Sequence, residues 1–214
     1  MIMQSAAPFR FYGSTMASRW ALSLGMVFCG LGTVDIAQCH AQEEVDNPVF
    51  RNWKDFPVGS TVSYRSTTKA GENSNIQEFT LRLKAKTAER ITIERQLTAI
   101  MPDGTRQEYP AMTSENARVY RLPKGVERPD PNKPKGVIAE GEEELEMLGR
   151  KIKAKWFKAK MRVEAGDMFT HSWSSDQVPG GLVKAVNETP ATKSVNTVEM
   201  IDLKIPGESQ ASDQ

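Results

Sequence analysis

The chain has 214 residues, with 28 basic and 27 acidic residues and a mean hydropathy of −0.48. A net charge this close to zero produces no long-range field that would attract nucleic acid or an anionic membrane, so neither is predicted as a partner. Two cysteines (Cys29, Cys39) and two histidines (His40, His171) offer few metal ligands, and neither a cofactor nor a metal site is predicted.

Residues 1–41 have the pattern of a cleavable signal peptide. Two arginines precede an apolar run at 20–34, which is short for a membrane span, and cleavage after Ala41 would leave small residues at the −3 and −1 positions. An uncleaved anchor and lipidation of Cys39 are the less favoured alternatives. We therefore expect a secreted or periplasmic protein with no membrane span after signal removal.

Removal of the signal changes the chemistry of the remaining chain. Both cysteines are lost, which excludes disulfides and cysteine nucleophiles. The signal also contains two of the 28 basic residues and one of the 27 acidic residues, so 26 of each remain. About 170 residues are enough for one domain with its own core. We predict a single antiparallel β domain over 42–206 and a disordered tail over 207–214.

A short helix is predicted at the start of this domain. Asp46 or Asn47 can cap it, Pro48 suits its first position, and Pro57 prevents its continuation. Its apolar residues fall on one face of two turns and are Val49, Phe50, Trp53 and Phe56.

From residue 59 onward, apolar residues recur at every second position, which predicts β-strands. The connections between strands are polar or contain glycine, and Pro179-Gly180-Gly181 predicts a turn. A proline-rich stretch at 123–136 predicts a loop. The predicted strands lie at 61–67, 76–86, 90–100, 118–122, 167–175, 182–189 and 196–206. The fold class is therefore mainly β, a single curved antiparallel sheet, half-barrel-like, with a short N-terminal helix.

Residues 140–163 fit two interpretations. As a helix, Leu145, Leu148, Ile152 and Trp156 would share one face. As a hairpin, the chain would turn at Gly149, and a bulge at Trp156-Phe157 would be needed to keep the apolar residues on one side. The pattern slightly favours the helix, whereas the flanking strands and the central glycine favour the hairpin.

His171 lies among serines and an aspartate, which raises the question of a catalytic triad. Alternation places it on the strand face of Phe169 and Trp173, whereas Ser172 and Ser174 point the other way. No Gly-x-Ser-x-Gly elbow occurs in the chain. We therefore expect a structural histidine and no catalytic residues, and the protein is predicted not to be an enzyme.

A run of cations surrounds Trp156 and Phe157, and basic residues interleaved with aromatic ones can bind polyanions. Its lysines are Lys151, Lys153, Lys155, Lys158 and Lys160. The favoured alternative is a solvated strand face on which these charges meet Glu142, Glu144 and Glu146 across a hairpin.

Three segments resemble an uncharacterised family of exported bacterial proteins. They are the opening "NPVFRNWKDFPVGSTVSY", the Gly-x-x-x-Lys-x-Lys-Trp segment within "AEGEEELEMLGRKIKAKWFK", and the Trp-x-Ser-x-x-Val-Pro-Gly-Gly segment "WSSDQVPGGLVK". The resemblance implies that 140–161 is a hairpin and supplies no catalytic residues. A more distant resemblance is to the lipoprotein-carrier (LolA-like) half-barrel, a curved sheet with a concave apolar face.

The leading hypothesis is an exported, non-enzymatic binding or carrier module for an apolar ligand or an envelope component. Its concave face would be lined by Phe79, Leu81, Ile93, Trp156, Phe169 and Trp173, although the same residues serve equally well as core. The alternative is an envelope structural or interaction protein that docks polyanionic surface polymers through the cationic hairpin. An enzyme that acts through carboxylates is the least favoured hypothesis.

Overall fold

The computed structural model describes residues 43–208, except residues 124, 127, 129, 131 and 132. The predicted signal peptide and the predicted tail beyond residue 208 lie outside the described residues.

The described residues form twelve β-strands, one short α-helix and one turn of 3-10 helix at Pro190–Thr192. In chain order the elements are β1 (Glu44–Asp46), α1 (Pro48–Trp53), β2 (Thr61–Ala70), β3 (Asn73–Lys86), β4 (Arg90–Ile100), β5 (Arg106–Glu108), β6 (Met112–Ala117), β7 (Val119–Arg121), β8 (Val137–Met147), β9 (Arg150–Val163), β10 (Gly166–Ser174), β11 (Leu182–Thr189) and β12 (Ser194–Lys204). Strands β5 and β6 carry no alternating apolar pattern and were not predicted.

Ten strands form one antiparallel sheet in the order β5-β4-β3-β2-β12-β11-β10-β9-β8. The tenth, β6, pairs with β4 further along the edge that β5 also occupies. Strands β1 and β7 form a separate two-stranded ribbon. The sheet is not closed into a barrel, so the predicted class of one antiparallel sheet with a short N-terminal helix is confirmed.

The register gives the sheet two distinct faces, because directly paired residues project to the same side and neighbours in sequence to opposite sides. We call the face that carries Val62, Tyr64 and Met200 the inner face. Tyr64 is paired with Phe79 on β3 and with Met200 on β12. The core cluster also contains Phe50, Trp53, Leu83, Ile91, Ile93, Ile152, Val178, Val183 and Leu203.

Helix α1 begins as its sequence predicts but ends at Trp53, so Phe56, predicted on its apolar face, lies beyond the helix. The side chain of Asn47 accepts a hydrogen bond from the amide of Val49 at 2.9 Å, and Pro48 occupies the first helical turn. At the other end, the ammonium of Lys86 donates to the carbonyls of Lys54 and Phe56 at 2.7 Å each. A charged donor thus satisfies the carbonyl of the C-cap residue and one carbonyl beyond it.

The turn at 178–181 packs directly on α1. The amide of Gly180 donates to the carbonyl of Asn52 at 3.0 Å, and the Asn52 amide group reaches the carbonyl of Gly180 at 3.4 Å. A Cβ on Gly180 would lie 3.1 Å from the indole nitrogen of Trp53, and the φ of Gly180 is +82°. Close approach and backbone conformation therefore both require glycine here.

Residues 140–163 form the β8–β9 hairpin, so the helical interpretation is wrong and the hairpin implied by the resemblance is correct. The expected bulge at Trp156-Phe157 is also wrong, because β9 pairs with β8 over 150–158 and with β10 over 155–163 without a shift at these residues. Ile152 and Ala154 therefore project to one side, and Phe157 to the other. The buried side of β9 therefore changes at Trp156-Phe157, as the hairpin interpretation required, but without a bulge.

We predict that Gly180→Ala destabilises the protein more than Gly104→Ala does. Both glycines have a φ of +82°, but a Cβ on Gly104 has no atom within 4 Å. The left-handed conformation costs each alanine about 1–2 kcal/mol. Only Gly180→Ala adds a steric cost, about 1–3 kcal/mol, against Trp53. Urea unfolding of both variants measures the difference, and equal losses would contradict the close packing.

Candidate functional site

A cleft of about 890 Å³ lies between α1 and the β8–β9 hairpin. It forms because β10 ends at Ser174, paired with Lys155, whereas β9 continues to Arg150 with only β8 beside it. The chain after Ser174 leaves the sheet and turns toward α1. The lining residues are Arg51, Asn52, Lys54, Asp55, Phe56, Glu142, Glu143, Glu144, Lys153, Ala154, Lys155, Phe157, Ser174, Ser175, Asp176 and Gly181.

Hydrogen bonds hold both walls of the cleft in place. On one side, α1 is attached to the turn through Asn52 and Gly180. On the other side, the amide of Lys153 donates to the side-chain oxygen of Gln177 at 3.0 Å, which ties the hairpin to the same turn. The cleft is thus largely pre-formed, as ligand sites usually are.

The cleft combines aromatic side chains with charges of both signs. Phe56 and Phe157 provide apolar surface, and Phe157 is buried. The cations come from α1, the residue after it and β9, and the carboxylates from Asp55 just beyond α1, from β8 and from the 174–181 turn. Lys155 lies 3.9 Å from Glu142 on the opposing strand. Such a lining suits a ligand with an apolar part and a polar part that carries both charges.

The six residues predicted to line one apolar face lie on two faces. Phe79, Leu81 and Ile93 are on the inner face, where Ile93 belongs to the core and the other two pack against it. Trp156 and Phe169 are on the outer face by register, as is Trp173, which pairs with Lys184. No single surface therefore presents all six, and their role as ligand contacts stays a prediction.

The outer face carries an aromatic ladder, which we define as Trp156, His171, Trp173 and Phe169. The ring centroids of His171 and Trp173 are 3.8 Å apart, and Trp156 meets His171 edge-on at 5.6 Å. The indole N–H of Trp173 donates to the Glu143 carboxylate. Lysine ammoniums lie 5.5–5.9 Å from three ring centroids: Lys158 over Trp156, Lys160 over Phe169 and Lys184 over Trp173.

The five predicted polyanion-binding lysines are also divided between the faces. Alternation places Lys151, Lys153 and Lys155 on the inner side of β9, and Lys158 and Lys160 on the outer side. Lys151 and Lys155 pair with Glu144 and Glu142 across the hairpin, and Lys160 pairs with Asp167 at 2.9 Å. These pairings agree with the solvated-face alternative; polyanion binding remains an untested prediction.

His171 is the residue that the sequence predicts to be structural rather than catalytic. It lies outside the cleft lining, and its Nε2 atom is buried without a hydrogen-bond partner. Burial lowers the pKa of His171, the Lys158 ammonium lowers it further, and Glu143 opposes both effects. Within the described residues, no group of three His, Cys, Asp or Glu side chains is arranged to hold a metal ion.

No protein-family model matches the chain, and no curated protein matches it. The solved structures that resemble it include three at 9% identity. A protein from Bacteroides fragilis, described as exported with a YmcC-like fold, has a TM-score of 0.41 and is matched over 70% of this chain and 97% of its own. A domain from Vibrio parahaemolyticus, described as an outer-membrane lipoprotein-sorting protein domain, has a TM-score of 0.29. It is matched over 76% of this chain and 91% of its own.

A DUF1329 family protein from Desulfovibrio piger has a TM-score of 0.27 over 76% of this chain and 92% of its own. All three TM-scores lie below 0.5, so function is inferred from the residues of this chain. The resemblance to an exported family through short motifs stays a prediction.

We predict that the His171→Phe protein loses less stability in acid than the protein with histidine at this position. Because the folded state lowers the His171 pKa, the neutral form stabilises the fold above about pH 6.5. As the pH falls below that value, the unfolded chain takes up the proton first, and stability is lost at no more than about 1.4 kcal/mol per pH unit. Urea unfolding of both proteins at pH 7.5 and pH 5 measures the difference. A parallel decline in the two proteins would contradict the assignment.

Proposed function

We propose that the protein is an exported, non-enzymatic binding module that holds an amphiphilic ligand in the cleft between α1 and the β8–β9 hairpin. The single observation that carries this proposal is a pre-formed cleft of about 890 Å³ that joins aromatic surface to charges of both signs. A volume of this size accommodates a small amphiphile.

The proposed binding mode follows from the lining. An apolar portion of the ligand packs against Phe56, which itself packs on the core, and against the edge of the buried Phe157. A zwitterionic portion meets Lys155 and Glu142, whose 3.9 Å separation leaves both groups able to bond to a ligand. The hydrogen bond from Gly180 to Asn52 fixes α1 to the 174–181 turn, so we expect the ligand to bind without movement of α1.

The other candidate functions have weaker support. Polyanion docking through the hairpin is weakened because its lysines point to two faces and three of the five are paired with carboxylates. A serine hydrolase is disfavoured because the Nε2 atom of His171 makes no hydrogen bond. Export and an envelope location rest on the predicted signal peptide at 1–41. In the described part of the chain, no helix has the length and apolarity needed to cross a bilayer.

We predict that a lysophosphatidylethanolamine with dansyl at the end of its acyl chain, which leaves the headgroup ammonium free, binds the protein below its micelle concentration, and that Lys155→Glu weakens this binding roughly tenfold. The reversed charge repels the headgroup phosphate at the cleft rim and costs about 1.4 kcal/mol. Lys158→Glu is the matched control, since it makes the same charge change three residues away on the opposite face. Dansyl fluorescence measures both affinities.

A third variant tests the location of the ligand. Ser174→Trp places a large side chain in the cleft, and we expect it to abolish binding without unfolding the protein, as circular dichroism would verify. Equal binding by all three variants would reject the cleft as the site. Repeated absence of any co-purifying small molecule in native mass spectra of protein from its own envelope would argue against a carrier.

A further inference from the structure

Strand β8 lies at the edge of the sheet, and we call its edge away from β9 the outer edge. It has eleven residues and pairs with β9, and no other described segment pairs with it. It contains no proline, so every second residue presents an amide and a carbonyl outward. This edge is a template for an additional strand, and its side chains decide which strand fits.

The inner side of β8 carries a column of four glutamates, which we call the glutamate column. Its members are Glu140, Glu142, Glu144 and Glu146, and they project to the same side because they alternate in sequence. Three of them are paired in register with Lys155, Lys153 and Lys151 of β9. The Glu142 side chain is 78% exposed, so its carboxylate remains accessible to solvent as well as to Lys155.

A cation from outside the hairpin already binds one end of the glutamate column. Lys133, which precedes β8, donates its ammonium to Glu140 at 2.6 Å, and this contact raises the pKa of Lys133. The column thus already binds one lysine that does not come from β9. Ile138, at the register shift in β8, is 66% exposed and offers apolar contact beside it.

We infer that the outer edge of β8 binds an extended partner segment that carries lysine or arginine at every second position. Such a segment adds an antiparallel strand whose cations line up with Glu142, Glu144 and Glu146 and complete a Lys–Glu–Lys arrangement across three strands. A second copy of this chain is excluded as the symmetric partner. Two-fold pairing of β8 with β8 would place the glutamate column beside itself, and like charges directly opposite are destabilising.

The test titrates the full chain with a fluorescent eight-residue peptide of alternating lysine and threonine. We expect affinity to fall as salt rises from 0.05 to about 0.3 M. A peptide of the same composition, with its four lysines grouped, should bind at least tenfold more weakly because it cannot match the column. Equal binding of the two peptides would overturn the inference, as would failure of the alternating peptide to bind.

Variants and amide exchange separate strand addition from attraction by charge alone. Glu142→Lys should lower affinity at least tenfold, whereas Glu115→Lys, the same charge change at another exposed glutamate on the opposite edge strand β6, should have no effect. Bound peptide should slow hydrogen exchange at every second amide of β8. Binding without that protection would overturn the inference, and so would a dimer of the protein whose interface is β8.

Discussion

The packing of α1 against the 178–181 turn is the interaction on which the rest of the structure depends. A sheet of alternating residues has two faces, and it needs a cover to bury one of them. Trp53 supplies that cover and is almost wholly buried, while Asn52 exchanges backbone and side-chain hydrogen bonds with Gly180, 128 positions later in the chain. Pairing of such distant segments closes a long loop, and the buried indole offsets that entropic cost.

The cleft is a consequence of unequal strand lengths beside this contact. Strand β10 has nine residues and β9 has fourteen, so the hairpin continues where its neighbour has already turned away. The turn fills part of the gap and orders both walls, through Asn52 on one side and Lys153 on the other. The apolar and charged lining follows from alternation, because one side of β9 presents lysines and then Phe157.

The outer face shows how the same alternation produces a surface that is aromatic and charged but not cationic overall. Trp156 lies over Gly141, where a Cβ would come within 2.6 Å of the indole. Lysine side chains cover the rings from above, and Asp167, Glu143 and Glu199 lie close to them. A cluster that reads as a polyanion site in the sequence is thus locally neutralised by its cross-strand neighbours.

The sequence alone carried enough information to predict the class of the fold and much of its local structure. Apolar residues at every second position identified most strands, and Asn47 and Pro48 marked the start of α1. Pro179-Gly180-Gly181 marked the turn between β10 and β11. These signals depend on neighbours within a few residues, so they can be recognised without tertiary contacts. Strands β5 and β6 escaped because they are exposed on both sides and therefore have no apolar alternation.

Strand order and register were decided only in the tertiary structure, and with them the face of each side chain. Placing β12 beside β2 and β11 puts Trp173 and Phe79 on opposite faces of the sheet, although both belong to alternating apolar segments. The 140–163 ambiguity was likewise resolved by pairing with β10, not by its own pattern. The physical reason is that alternation determines which residues share a face within one strand, whereas long-range pairing determines which face that is.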